Sequence, residues 1–348
     1  MARTRGYRSY RGRGTKRKVL LAVLLCLVIL AATAVIVIQE YVVYDADGTP
    51  HLSIPWQQAE EDAPQEEVDL VIQEPETPPA SRILALGAAP LTQADWEETA
   101  TALRDGTWNA CAVTLKDADG TVYFESRTAL PGSTETAEDT TAALAEMTRA
   151  GRESVYPIAR ISALLDPVAA RSDVSGMGLM NTGGYIFYDG NNLNWLDPSK
   201  EAAQAYVSGF AVEAAELGFR EIVLTDFSFP TEGSLDKITY PEAGTRASLR
   251  ACLEAVRSAL DQAGYEDVAL SVEVPAAVVV GGYEERSGLA LADLADIVGR
   301  VYAAATAEQA AALSAAAEAA GVAFVPELTE EPAGAAASDT SYLLLPAA

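Results

Sequence analysis

The sequence predicts an α/β fold, a (β/α)8 TIM barrel, preceded by an N-terminal transmembrane helix and a disordered acidic, Pro-rich stalk. Three observations lead to this prediction. Eight apolar strand-like runs follow position 81, helical patterns separate most of them, and one uncharged apolar run precedes them near the N-terminus. Alternation of strands and helices is typical of a parallel sheet. Eight strands favour closure into a barrel, and a doubly wound open sheet is the alternative.

The first 38 residues predict a membrane anchor. Residues 1–18 hold eight basic side chains and no acidic one, and residues 19–38 form an apolar run of twenty residues without a charge. A helix of this length spans a hydrocarbon core of about 30 Å, and the flanking basic residues keep the N-terminus in the cytoplasm. A cleaved signal peptide is the alternative, since 32–34 read Ala-Thr-Ala. The apolar run continues past that site and exceeds the usual signal-peptide core of about 7–15 residues.

Residues 39–80 predict an extracytoplasmic linker. Their second half is rich in Asp, Glu, Gln and Pro, and 74–79 read Glu-Pro-Glu-Thr-Pro-Pro. This composition cannot bury a hydrophobic core. In a polyproline-like state, at ~3.1 Å per residue, the segment would extend on the order of 100 Å. We therefore expect a single-pass protein of the cell membrane whose folded domain, residues 81–348, lies outside the cytoplasm.

Each strand of the folded domain is predicted from a short apolar run. The predicted strands are 82–87, 110–115, 155–161, 222–227, 268–274, 297–303, 322–325 and 342–345. Two hairpin-like insertions, around 117–126 and 185–197, interrupt the alternation. The first contains Asp-Ala-Asp-Gly, which resembles half of a calcium loop but lacks the remaining ligands, so a turn is predicted.

The helices between these strands are predicted from apolar periodicity and from their ends. The helix after the first strand begins at Thr92, a good N-cap, and carries Trp96 on its apolar face. The helix over 199–217 is closed by Gly218, and the helix before strand five ends at Gly264. Glycine commonly terminates a helix because it adopts the left-handed conformation without steric cost.

Composition excludes several classes of function. The formal net charge is −26, and one third of the basic residues lie in the N-terminal tail, so the folded domain is strongly acidic. Such a surface repels phosphate backbones, and we expect no nucleic-acid partner. The single histidine, His51, lies outside the predicted barrel, which excludes a Ser-His-Asp triad and a His-rich metal site there. The three cysteines have no disulfide or metal-ligand spacing, and we expect neither a metal nor a cofactor.

Two acidic residues are the candidates for catalysis, because active sites in such barrels form at the C-terminal ends of the strands. In strand five, Val272 belongs to an all-aliphatic face, so Glu273 is predicted to point into the barrel mouth. Asp226 ends strand four and shares a face with Ile222 and Leu224. Neighbouring strands bring the two carboxylates together, as glycoside hydrolysis requires, one as nucleophile or base and one as proton donor. The alternative is structural, since acidic residues at strand ends also cap helices or pair with arginine.

Further residues are candidates for substrate binding. Lys116 and Arg160 lie at the ends of strands two and three, and we expect them to orient substrate. Trp195, in the second insertion, is a candidate to stack on a sugar ring. Packing within its own hairpin is the alternative for this tryptophan.

Several short segments in the barrel region carry a family resemblance. They are 109–117, 158–161, 166–167, 194–198, 214–219 and 226–230, which read Asn-Ala-Cys-Ala-Val-Thr-Leu-Lys-Asp, Ile-Ala-Arg-Ile, Asp-Pro, Asn-Trp-Leu-Asp-Pro, Ala-Ala-Glu-Leu-Gly-Phe and Asp-Phe-Ser-Phe-Pro. In this order they resemble a glycosyl hydrolase domain family of the α-amylase-like barrel group, common in bacterial surface proteins. The resemblance covers about residues 82–305 and implies a barrel with a glycosidase role. It implies a catalytic carboxylate at Asp226 and a second acidic residue at Glu273.

The chain departs from the family's pattern at three places. Thr114 stands where the second-strand motif has an acidic residue, and Ser228 stands where an arginine is usual. The sixth-strand segment 299–303 lacks the family's prolines but keeps a tyrosine, Tyr302, which is a further candidate for substrate binding. The leading hypothesis is a surface-anchored glycoside hydrolase that acts on cell-wall or extracellular polysaccharide. The departures favour, as the alternative, a catalytically inactive barrel that binds glycan or serves as an envelope scaffold.

Overall fold

The computed structural model of the protein describes residues 20, 23–33, 42–44, 50–52, 81–104, 107–150, 155–332 and 341–346. The chain divides into two compact units, Met1–Glu74 and Pro75–Ala348. In the first unit, the described residues from Leu20 to Thr33 are helical. Val42–Tyr44 pairs antiparallel with Pro50–Leu52, a short sheet that the linker prediction did not include.

Parts of the predicted N-terminal organisation lie outside the described residues. These parts are the tail 1–18, residues 19, 21–22 and 34–38 of the predicted span, and residues 39–41, 45–49 and 53–80 of the linker. Within the part of the chain that the structure describes, no helix has both the length and the apolar character needed to cross a bilayer.

The second unit contains a closed barrel of eight parallel strands, as predicted. The strands are β1 (Arg82–Ala85), β2 (Ala110–Lys116), β3 (Tyr156–Ser162), β4 (Glu221–Thr225), β5 (Ala269–Glu273), β6 (Arg300–Ala304), β7 (Ala323–Leu328) and β8 (Tyr342–Leu344). Each strand pairs with its neighbours in chain order, and β8 pairs with β1 to close the barrel. Strand β6 begins three residues later than predicted, because the amides of Ile297 and Val298 donate to Leu294 O and extend the preceding helical turn.

Eight helices and a 3-10 turn lie between the described strands. They are α1 (Gln93–Arg104), α2 (Thr140–Ala150), α3 (Pro167–Ser172), α4 (Glu201–Leu217), α5 (Thr245–Gln262), α6 (Ala276–Gly281), α7 (Leu291–Leu294), α8 (Ala307–Ala319) and the 3-10 turn Leu235–Lys237. Trp96 is buried on α1, as its periodicity predicts. Gly218 ends α4 with φ of +98°, the left-handed conformation expected of a closing glycine. The alternation in sequence therefore encodes the helices as well as the strands.

The side chains of the strands alternate between two cores. Outward residues such as Ile222, Leu224 and Val272 pack in the large core with the helices. Inward apolar residues fill the middle of the barrel, and they are Ile83, Ala85, Ala110, Ala112, Ile158, Val223, Tyr302, Val325 and Leu343. This apolar layer separates polar groups at the N-terminal end of the barrel from polar groups at its C-terminal mouth.

Three loops at the mouth are joined by backbone hydrogen bonds. The insertion after β3 binds the loop after β4, because Thr182 N donates to Lys237 O at 2.8 Å and Thr239 N donates to Met180 O at 2.8 Å. The loop after β4 in turn donates from Phe229 N to Ser287 O at 2.9 Å. The rim over β3, β4 and β5 is thus one connected layer of backbone.

Candidate active site

Arg160 is the centre of a charged group at the barrel mouth. Its Nη2 donates to Glu273 Oε2 at 2.7 Å, and its Nη1 donates to Glu327 Oε1 at 2.5 Å. The three residues come from β3, β5 and β7, which are alternate strands, and inward side chains of alternate strands share a layer in a TIM barrel. We call Arg160, Glu273, Glu327 and the neighbouring Asp226 the mouth cluster.

Glu273 points into the mouth, as alternation along β5 predicts. Its side chain is 32% exposed, whereas that of Glu327 is 3% exposed. Burial is the main cause that raises the pKa of Glu273 to about 7, and the charge of Glu327 raises it further. The Arg160 cation opposes this rise, and the charge of Asp226 adds to it. Near neutral pH this carboxyl group is therefore available both as an acid and as a base.

Asp226 follows β4 in a strained conformation. Its φ is +50°, which is uncommon for a residue other than glycine and costs on the order of 1–3 kcal/mol. Ser162 Oγ, at the end of β3, donates to Asp226 Oδ2 at 2.7 Å. The structure brings Asp226 to the mouth, but the reason based on alternation was wrong. Ile222 and Leu224 face the helices, so Asp226 reaches the mouth only because the positive φ turns the chain.

Lys116 is enclosed within the protein. Its side chain is 1% exposed, and its Nζ lies 2.9 Å from Asp166 Oδ2 and donates to Ser162 O at 2.7 Å. Asp166 also accepts from Tyr206 Oη at 3.0 Å, and through its other oxygen it caps α3. This position favours a supporting role, in which Lys116 holds the end of β3 where Ser162 meets Asp226.

Trp195 and Tyr302 do not present their rings at the mouth. Trp195 is buried in its insertion, and its Nε1 donates to Asp189 Oδ2 at 2.9 Å, which matches the alternative of packing within the hairpin. Tyr302 is fully buried, and its hydroxyl donates to Glu221 Oε1 at 2.8 Å. The predicted substrate contacts do not fit these positions, whereas Arg160 lies in contact with both mouth glutamates.

Glu221 and Arg300 form a second charged group at the opposite end of the barrel. Arg300 Nε donates to Glu221 Oε1 at 2.8 Å, and Arg300 Nη2 donates to Glu221 Oε2. Glu221 Oε1 also accepts from Ser271 Oγ at 2.7 Å and from Tyr302. We call Glu221, Ser271, Arg300 and Tyr302 the floor cluster. Sequence reasoning did not single out Glu221 or Glu327, although Glu327 lies two residues beyond the inward Val325 and alternation could have found it.

The two buried cysteines offer no nucleophile near neutral pH. Burial raises the pKa of Cys111 and of Cys252 to about 12, so both thiols are protonated. The thiolate is the reactive form of cysteine. The chemistry available at the mouth is therefore that of its carboxyl groups.

The structure is a closed (β/α)8 barrel with carboxyl groups at its C-terminal mouth. This arrangement is typical of the class of barrel proteins to which many glycoside hydrolases belong. Within that class, the profile of the family described as "Putative glycosyl hydrolase domain" matches residues 87–303, more than half of the chain. The chain belongs to this family. The family expected from the short sequence segments is thus confirmed.

Two solved structures, with TM-scores of 0.55 and 0.50, support the same fold. The glycoside hydrolase domain of PgaB (BpsB) from Bordetella bronchiseptica is 18% identical, with a TM-score of 0.55 over 77% of this chain and 94% of that one. A cycloisomaltooligosaccharide glucanotransferase from Paenibacillus sp. is 12% identical, with a TM-score of 0.50 over 71% of this chain and 38% of that one. A hypothetical protein from Ruminiclostridium thermocellum is 23% identical over 55% of this chain and 96% of its own, with a TM-score of 0.43. No curated protein matches the sequence.

Proposed function

We propose that the protein is a membrane-anchored glycoside hydrolase that cleaves an extracytoplasmic polysaccharide with Asp226 and Glu273 as its two catalytic carboxyl groups. The observation that carries the proposal is the pairing of unlike carboxyl environments at one mouth. Glu273 has its pKa raised to about 7, mainly by burial, and the charge of Asp226 contributes to that rise. Glycoside hydrolases commonly use two neighbouring carboxyl groups in different environments, one as the acid and the other as the nucleophile.

The mechanism follows from these environments. Protonated Glu273 donates its proton to the glycosidic oxygen as the bond from that oxygen to the anomeric carbon breaks. The bonding electron pair leaves with the oxygen, and positive charge develops on the sugar ring. Asp226 attacks the anomeric carbon or stabilises this charge, and the bond from Ser162 Oγ fixes the carboxylate in place. Water then completes hydrolysis, with the Glu273 carboxylate able to accept its proton.

Charge limits the class of glycan that we propose as substrate. All 50 acidic residues lie outside the basic N-terminal tail, and the folded domain holds most of them. A strongly negative surface disfavours the approach of polyanions. We therefore propose a cell-wall or extracellular polysaccharide that is neutral or cationic, and neither nucleic acid nor a phosphate-rich polymer.

Membrane anchoring is proposed from the N-terminal apolar run. The described helical residues between Leu20 and Leu30 leave their large apolar side chains more than half exposed. A contiguous apolar surface of this kind marks a membrane or protein contact. The uncharged run 19–38 and the basic residues before it support an anchor with its N-terminus in the cytoplasm.

A second candidate function rests on the same contacts. Glu273 is hydrogen-bonded to an arginine and Asp226 to a serine, and such pairings also occur where carboxylates only support the fold. Together with Thr114 and Ser228, where the family's charged residues are absent, they favour a non-catalytic barrel that binds glycan.

The test is release of reducing sugar from a panel of neutral, cationic and anionic polysaccharides by the full-length protein. We expect Asp226→Asn and Glu273→Gln to lower the rate by about 10²- to 10⁴-fold, because each removes a group that acts in the transition state. Asp261→Asn, on the outer helix α5, is the matched control and should leave the rate unchanged.

A substrate with a good leaving group separates the two roles. An aryl glycoside needs little help from an acid, so Glu273→Gln should regain much of its rate on it, whereas Asp226→Asn should not. Equal release by wild type and Asp226→Asn would reject the catalytic proposal. Retained glycan binding without release by wild type would instead support the non-catalytic barrel.

A further inference from the structure

Glu273 is held through one oxygen only. Arg160 Nη2 donates to Glu273 Oε2 at 2.7 Å, and no described residue hydrogen-bonds to Oε1. An arginine side chain offers only donors and stays charged in proteins, so Oε2 must act as the acceptor. In the neutral acid, the oxygen that accepts from a cation is the carbonyl oxygen, because the hydroxyl oxygen is the weaker acceptor. The proton of neutral Glu273 therefore lies on Oε1, to which no described residue donates a hydrogen bond.

Arg160 is in turn fixed by its second carboxylate. Its Nη1 donates to Glu327 Oε1 at 2.5 Å, and Glu327 is 3% exposed. A planar guanidinium bound at both ends of its fork has little freedom to rotate. Glu327 therefore decides where Arg160 points, and Arg160 decides which oxygen of Glu273 is occupied.

Counting charges gives Glu327 a second effect on Glu273. One cation lies between two carboxyl groups in a largely water-excluded layer, and burying a second uncompensated anion is costly. The more exposed of the two, Glu273, is the one able to take a proton from solvent. The raised pKa of Glu273, caused first by burial and next by the charge of Glu327, agrees with this count.

We infer that Arg160 and Glu327 form a positioning pair for the proton of Glu273: the charge of Glu327 favours the protonated state, and Arg160 directs the proton to Oε1 and that oxygen to the barrel mouth. The use of this proton on a glycosidic oxygen rests on the proposed function. The placement of the proton does not, because it follows from the donor and acceptor arrangement alone. Glu327 and Arg160 are thus assigned to the acid step without contact with the reacting bond.

Among the described residues, the charged and titratable groups that face Glu273 come from four elements. They are Arg160 on β3, Asp226 after β4, Tyr302 on β6 and Glu327 on β7. Burial lowers the pKa of Arg160, but Glu327 and Glu273 outweigh burial and the net change raises it, so Arg160 stays a cation. The pKa of Tyr302 is raised well above its usual value, chiefly by burial, so Tyr302 stays neutral. Removing the charge of Glu327 should therefore lower the pKa of Glu273.

The experiment measures ionisation of Glu273 directly in the full-length protein. The carboxyl infrared band of Glu273 is identified as the band that disappears in Glu273→Gln and is followed against pH. We expect Glu327→Gln to move its midpoint down by about one pH unit, a typical effect of a neighbouring charge. Arg160→Lys keeps a positive charge but cannot bind both carboxylates as a planar guanidinium does. We therefore expect the Glu273 midpoint to move up in this variant. Opposite shifts would not arise from a merely structural role.

Glu221→Gln in the floor cluster is the matched control, since it removes a carboxylate from an arginine pair in the same barrel. We expect it to lower the melting temperature and to leave the Glu273 midpoint where it is in wild type. An unchanged midpoint in a folded Glu327→Gln protein would overturn the inference. If Glu327→Gln does not fold, an unchanged Glu273 midpoint in Arg160→Lys would overturn the inference instead.

Hydrolysis is measured separately on the same proteins. If wild type cleaves glycan, the alkaline limb of kcat/KM should move with the infrared midpoint in Glu327→Gln, with KM nearly constant. If wild type cleaves nothing, the proposed function fails while the infrared midpoints still decide the positioning role. The two failures are therefore distinguishable.

Discussion

The floor cluster and the mouth cluster place an arginine against carboxylates at the two ends of one barrel, and they differ in charge balance. At the floor, one carboxylate, Glu221, faces one cation, Arg300, and two hydroxyl groups complete its hydrogen bonds. At the mouth, Arg160 faces two glutamates, and Asp226 lies close enough to influence the pKa of Glu273. The floor is neutral and satisfied, whereas the mouth carries more negative charge than its one cation can offset.

This difference indicates what each end does for the protein. A buried pair with every group bonded holds strands in a fixed register, and at the N-terminal face of a TIM barrel such a pair contributes to stability. An excess of carboxyl groups raises the pKa of one of them and so lowers the stability of the ionised state. Natural proteins retain unfavourable electrostatics of this kind where function requires it. The comparison predicts that variants at the floor change stability and variants at the mouth change chemistry.

The largest effect on stability is expected from Arg300→Met. This change leaves Glu221 buried without its cation, and breaking one partner of a buried pair costs about 3–5 kcal/mol. Urea denaturation followed by circular dichroism measures the loss. Arg246→Met is the matched control, because Arg246 pairs with Asp293 at the surface, where half of its side chain is exposed. A surface pair contributes about 0–1 kcal/mol. Equal losses in both variants would show that the floor cluster does not stabilise the barrel.

A smaller effect is expected from Tyr302→Phe, which tests the comparison at a single hydroxyl. Removing the donor to Glu221 Oε1 should cost about 1.5–3 kcal/mol of unfolding free energy, as loss of a hydrogen bond to a charged group usually does. The KM of a cleaved glycan, or the Kd of a glycan that is only bound, should not change, since the hydroxyl points to the floor. A raised KM with unaltered stability would restore the substrate contact predicted from the sequence. Tyr156→Phe, whose hydroxyl donates to Arg220 O at 3.2 Å, is the control for loss of a tyrosine hydroxyl.

The barrel was predictable because its strands are encoded locally. Each of the eight strands is a short apolar run, and alternation along β5 places Glu273 inside without knowledge of any other strand. Strand β7 continues past its predicted end at residue 325 and includes Pro326, a residue that rarely occurs in a central strand. Because the predicted strand was too short, Glu327 was not recognised as one of its residues. Asp226 was chosen because it shares a face with Ile222 and Leu224, but that face packs against the helices.

The contacts within the site were not predictable from the sequence alone. Arg160 lies 113 positions from Glu273 and 167 positions from Glu327, so no local pattern joins them. Only barrel closure and the choice of rotamers determine that one arginine bridges both. The same holds for Lys116. Its position along β2 suggests a side chain at the mouth, but its ammonium group forms an ion pair with Asp166. The sequence can thus nominate inward residues but not their partners.

The smallest effect, the dependence of stability on pH, examines the mouth without any substrate. Glu273 has a pKa of about 7 in the folded protein against an ordinary value of 4.5, so the folded state binds this proton more tightly than the unfolded state. Its contribution to stability is fully present below pH 4.5 and is lost as pH rises through about 7. Because a third of the side chain is exposed, we expect the loss to be on the order of 1 kcal/mol.

The measurement is the difference in unfolding free energy between wild type and Glu273→Gln, taken at intervals from pH 4 to pH 8. Carboxyl groups away from the mouth cluster titrate in the same range, but their contributions are shared by the two proteins and cancel in the difference. The difference should fall steadily between pH 4.5 and pH 7, since only wild type carries the group whose ionisation is disfavoured by folding. Parallel curves would mean that ionising Glu273 costs no more free energy in the folded protein than in the unfolded chain. The mouth would then be as balanced as the floor, and the physical basis for an acid at this site would be gone.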